Sequence, residues 1–149
     1  MVYVVPMNYA LALLLLAASQ DSPDPLKTGH ANRNREFTSW MKATGAANGA
    51  LSRLETKTGK DATEKAEALG SIYENMIGFW RQAGAPDAVK LSIQGKAAAL
   101  ELAAAAHSGD APKAAEAYTK LATTCKACHD VHRNKLADGT YLILMPIRK

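Results

Sequence analysis

Cys125-Lys126-Ala127-Cys128-His129 decides how this sequence is read. The pattern Cys-x-x-Cys-His is the attachment signature of a c-type haem. On a helix, thiols at i and i+3 share one face, where each can form a thioether with a vinyl group. His129 follows at once and presents an imidazole, a common proximal ligand of haem iron. The flanks are helical in pattern: Ala114, Tyr118, Leu121, Ala122, Cys125, Cys128, His129 and His132 recur at helical spacing.

Other readings of the motif compete. A redox dithiol of the thioredoxin type wants a βαβ context, and no strand pattern precedes this one. A zinc site would need histidines to complete it, because the chain has only 2 cysteines. A disulfide between i and i+3 of one helix is geometrically awkward. The haem reading is preferred because an export signal and a bundle pattern accompany it.

The 149 residues suit one domain. Alanine dominates the apolar share and aromatics are few, so the helices pack closely and bury little area each; a large apolar cofactor would supply much of the missing core. The net charge of +4 is interspersed, without the Lys/Arg block of a nucleic-acid arm. A mildly basic face suits an acidic protein partner instead.

Residues 1–20 read as an export signal. Ala10 to Ala18 is a run of Ala and Leu, and Ala17-Ala18-Ser19 offers small residues for cleavage. The n-region lacks Lys and Arg, which leaves a start at Met7 or an uncleaved membrane anchor as alternatives; Pro6 and Asn8 interrupt the apolar stretch that an anchor needs. Export and c-type haem agree, since that haem is attached outside the cytoplasm. Residues 21–34 hold Pro23, Pro25 and Gly29 and read as a linker or lead-in loop, with His30 solvated.

A haem-binding domain follows over residues 35–137, built of helices. The first should run from about Arg35 to Leu54, with Phe37, Trp40, Met41, Thr44, Asn48 and Leu51 on one face. Gly45 and Gly49 lower its helicity and would allow close approach of a flat ring or another helix. The second opens on the capping box Asp61-Ala62-Thr63-Glu64 and buries Ala66, Leu69, Tyr73, Met76 and Trp80. The third opens at Asp87 and turns Val89, Ile93, Ala97, Leu100 and Ala104 inward. The fourth begins near Pro112, carries the motif and reaches about Leu136. Helices joined by short turns predict an all-α, antiparallel up-down-up-down four-helix bundle. The tail, residues 138–149, differs: Tyr141 to Met145 is apolar and fits a short strand or a strap over the bundle.

A haem motif on the last helix of such a bundle resembles the cytochrome c-prime family, the class II c-type cytochromes. The resemblance covers roughly Arg35 to Arg133. Thr124-Cys125-Lys126-Ala127-Cys128-His129-Asp130-Val131-His132-Arg133 is similar to the family's Thr-Cys-Lys-Ala-Cys-His-Asp-x-Tyr-Arg. Met41-Lys42-Ala43-Thr44-Gly45 with Asn48-Gly49-Ala50 is similar to its first-helix segment. The resemblance implies one covalent haem c between the helices, thioethers from Cys125 and Cys128, and His129 as the proximal iron ligand. It implies a distal residue at Met41 and an Arg beside the proximal histidine at Arg133. One branch of the family has Leu or Phe at the distal position, a five-coordinate iron, and binds nitric oxide or carbon monoxide. Another has Met, a six-coordinate low-spin iron, and carries electrons; Met41 places this chain nearer that branch. The family also implies a homodimer through the first two helices, with which an exposed Ile77 would agree. Phe37 stands where the family often has Arg, and His132 where it usually has Tyr.

Met76 rivals Met41 as a sulfur ligand but suits the core better. His132, on the same side of the helix as His129, belongs beside the site or at the surface. His107 complements a helix C-terminus. Lys126 and Lys135 flank the motif and would steer an acidic redox partner beside an exposed haem edge, or else are ordinary solvated lysines. The expectation is a periplasmic monohaem cytochrome that carries electrons, with Met41 and His129 as axial ligands, and not an enzyme. The alternatives are a five-coordinate gas binder and a bundle in which haem serves structure.

Overall fold

The computed structural model describes residues 25–139 and 141–145, with side chains from residue 35 onward. Four helices follow in order: α1 (Pro25–Arg53), α2 (Lys60–Ala83), α3 (Pro86–Ser108) and α4 (Ala111–His132). They pack α1 on α2, α2 on α3 and α3 on α4. Neighbours run antiparallel. The Gly59 N–H bonds to Ala106 O at 3.0 Å, whereas the ring of Tyr73, farther along α2, lies against Gly95, earlier in α3. The export signal expected over 1–20 lies outside the described residues. No helix among those described is long and apolar enough to cross a membrane.

The helix ends follow local chemistry with corrections of a residue or several. α1 begins at Pro25, inside the expected linker; a proline at the first helical position has the right φ and lacks only an N–H that would go unpaired there. Gly59, not Asp61, caps α2, with φ 88° and no side-chain bond. Asp61 instead lies in the first turn, where its charge suits the helix dipole. Ala85 caps α3, leaving Asp87 free to bond elsewhere. Asp110 caps α4 through its carboxylate, which accepts the Lys113 N–H at 3.1 Å; that bond holds the Asp110 carboxyl below the usual carboxylate range.

The core confirms the expected stripe of α2, in which Ala66, Leu69, Tyr73, Met76 and Trp80 are all buried. Ile77, which by spacing widens this stripe, is buried too, and so is not the exposed residue that a dimer face would use. On α3 the expected inward stripe faces out: Ile93 and Leu100 are 47% and 49% exposed. The buried stripe is Ala88, Ser92, Gly95, Ala99, Leu102 and Ala106. Side-chain size alone was the wrong guide: Gly95 occupies the close approach to Tyr73 of α2, while Leu102 is fully buried and Leu100 lies half exposed against Gly70.

Gly95 sets that approach. A Cβ there would lie 2.4 Å from Cε1 of Tyr73, a rigid ring with no flexible end to yield. Gly95→Ala should therefore destabilise the protein by about 1–3 kcal/mol through overpacking, despite the roughly 1 kcal/mol of helix propensity gained. A melting temperature equal to or above wild type would refute this account of the α2–α3 contact.

α4 ends at His132, short of the expected Leu136. Arg133 turns extended (φ −128°, ψ 129°) and opens strand β1 (Arg133–Lys135). It pairs antiparallel with β2 (Tyr141–Ile143), in the register Arg133 to Ile143. The helix stops because the tail offers a better partner: His132 O, at the helix end, accepts the Leu144 N–H at 2.9 Å. Gly139, at φ 84°, takes the left-handed conformation that the connecting turn requires. The apolar run Tyr141 to Met145 is thus a strand and strap, one of the two forms expected of it.

Candidate haem site

Between α1 and α4 the bundle opens into a cavity of about 650 Å³, within the usual range for cofactor pockets. α1 contributes Phe37, Met41, Thr44, Gly45 and Asn48, the helical face expected from sequence. α4 contributes Cys125, Cys128 and His129, and β1 contributes Arg133. Tyr73, Met76 and Trp80 of α2 form the floor. All five residues singled out for the cofactor, Met41, Cys125, Cys128, His129 and Arg133, therefore line one space.

Cys125 and Cys128 are half-buried and unbridged. The Tyr73 hydroxyl lies 3.2 Å from Cys125 Sγ, and burial, with the nearby cysteines, pushes the Tyr73 phenol well above its usual range. Burial also pushes the Cys128 thiol up to about 11, with Cys125 and Asp87 adding to it. The Cys128 sulfur is accordingly a protonated thiol at neutral pH. For His129 burial acts the opposite way: together with the Arg133 charge it lowers the imidazole below its usual value. The neutral ring that results is the form that binds iron.

The donor set fits a haem. Two thiols and a neutral imidazole lie on one wall, and a thioether sulfur lies on the helix across the cavity. Three polar atoms of lining residues, Thr44 Oγ1, Asn48 Oδ1 and Trp80 Nε1, are buried without a protein partner among the described residues. Such orphans commonly mark a wall that an additional group or water completes. Met76 also touches the space but is only 3% exposed, embedded in the core; Met41 is the more accessible sulfur. Gly45 faces the cavity with room to spare, whereas the glycines under close contact are Gly70 and Gly95.

Some lining residues were not foreseen. Tyr73 was legible as core but not as a neighbour of Cys125. Ser92 reaches the cavity because α3 is turned from its expected orientation, and Tyr141 and Ile143 reach it because the tail folds back. His132 does lie beside the site, as expected, but as an anchor: Nε2 meets Asp87 Oδ2 at 2.9 Å and Nδ1 meets Leu144 O at 3.0 Å. Only the pairing of two distant segments creates these contacts, and no local signal announces them.

A Cys-x-x-Cys-His motif facing a cavity on the last helix of a four-helix bundle defines a haem-binding c-type cytochrome. The family model of cytochrome c-prime matches residues 33–133, and the chain belongs to that family, whose members bind covalent haem c with iron and are typically exported. No curated protein and no solved structure matches the chain.

Proposed function

We propose that this cytochrome carries electrons, with His129 and Met41 as the axial ligands of its iron, and that it is not an enzyme. The observation that carries the reading is the place of Met41: on the α1 wall, in the same cavity as His129 and more accessible than Met76. When bound, the haem supplies an iron that cycles between ferrous and ferric states. Cys125 and Cys128 tether it, neutral His129 binds the iron, and Arg133 places positive charge at the same wall. Met41 would offer its sulfur to the iron from the α1 wall, which would spare the site a rearrangement when the charge of the iron changes.

The partner is a redox protein with an acidic face. Lys135 is exposed beside the motif, while Lys126 is paired with Asp130 at 2.6 Å and contributes less net charge. The work is done in the periplasm, after removal of residues 1–20. The native protein should then have a mass that begins near Gln20 or Asp21; an intact Met1 or Met7 would argue for an anchored form. The electron-transfer reading is tested by the optical spectrum of the ferric and ferrous protein with and without carbon monoxide. A high-spin wild type that binds the gas rapidly would replace it with the gas-binding alternative.

A further inference from the structure

We propose that residues 133–139 and 141–145 form a strap that supplies the remaining wall of the haem cavity, and that His132 is the positioning residue that latches it. The family match ends at residue 133, where the strap begins, so the family's pattern does not account for this element. The inference holds whichever ligand closes the sixth position of the iron.

Alternation along β2 puts Tyr141 and Ile143 on one face. Both line the cavity, and Ile143 and Met145 pack against the core. Ile143 is partly buried, whereas Tyr141, at 52% exposed, borders the cavity at its rim, and Leu142 and Leu144, on the other face, are 46% and 43% exposed. The Arg133 guanidinium lies 4.7 Å from the centroid of the Tyr141 ring, which ties the two strands together at the cavity rim.

The latch is two-sided. His132 accepts the Leu144 N–H through its backbone carbonyl at 2.9 Å and donates from Nδ1 to Leu144 O at 3.0 Å. Nε2 donates to the Asp87 carboxylate at 2.9 Å. The ring is 9% exposed and lies over Trp80, with centroids 4.7 Å apart. One residue thus joins α3, α4, the cavity floor and the strap. Ile143 covers that side of the site and Tyr141 borders its rim, so the strap reduces the access of water there, and solvent exposure is one of the main controls on haem potential and reactivity.

The test uses the full-length holoprotein. Leu144→Pro removes the N–H that His132 O accepts, at an exposed position that does not line the cavity. Tyr141→Ser with Ile143→Ser keeps the strap backbone and strips its apolar face. Both should shift the midpoint potential to more negative values and speed oxidation of the ferrous protein by a small neutral quinone severalfold. Leu144→Pro should in addition unprotect amides of residues 141–143 in hydrogen exchange. Unchanged potential and oxidation rate in both variants would overturn the proposal, whatever their stability. The spin state of the wild type, read separately, decides the electron-transfer reading, so the two failures cannot be confused.

Discussion

A chain carrying Cys125→Ser together with Cys128→Ser retains no haem through denaturing electrophoresis. Attachment requires each thiol to add across a vinyl group: sulfur bonds one carbon and the thiol hydrogen passes to the other. A serine hydroxyl is far too weak a nucleophile to replace the sulfur in this addition. Either single variant keeps one thioether and should still stain for haem, whereas the double variant should lose all covalent haem. A stained band in the double variant would sink the covalent assignment. The apoprotein should also melt at lower temperature and less cooperatively. α1 packs mainly on α2, with Phe37 against Phe79 and Trp80, and its residues Met41, Gly45 and Asn48 border the cavity. Without an occupant those cavity-facing residues lose a partner, and the alanine-rich stripe of α3 cannot compensate.

Met41→Leu should convert a low-spin iron to high spin and let carbon monoxide bind freely. Leucine nearly conserves the volume and apolar character of the side chain and removes only the sulfur lone pair, so the fold should be retained. Met41 is partly exposed on the cavity wall. The wild type should be low-spin in both oxidation states, with a ferric sulfur-to-iron band in the near infrared that the variant lacks. The potential should fall as well, because a thioether favours ferrous iron over ferric. A low-spin spectrum that survives the substitution would pass the role to Met76, whose sulfur reaches the cavity from α2.

Much of this was legible along the chain. The helices that carry the site show it in their periodicity. The stripe from Phe37 to Leu51 faces inward, the stripe from Ala66 to Trp80 is buried, and Cys125, Cys128 and His129 share one side of α4. Gly84 and Gly109 stand left-handed at the C-caps of α2 and α3, a conformation that suits glycine. α3 was misread because hydrophobicity alone suggests that Ile93 and Leu100 should be inside. Helix–helix distance decides which residues fit inside, and distance belongs to the pair, not to either sequence segment. Here it selected Ala88, Ser92, Gly95 and Ala99.

The sequence by itself determined the class of fold, the covalent chemistry of the cysteine motif and the helical face on which Met41 lies, because each depends on residues within a few turns of one another. Only the tertiary structure decided where α4 stops, which side of α3 is buried, and that Tyr141 and Ile143 join the site. Those outcomes rest on contacts between segments far apart in the chain: Tyr73 with Gly95, His132 with Asp87 and His132 with Leu144. Local propensity at His132 and Arg133 allows the helix to continue. The hydrogen bonds that the returning tail offers to His132 make the extended course the better one.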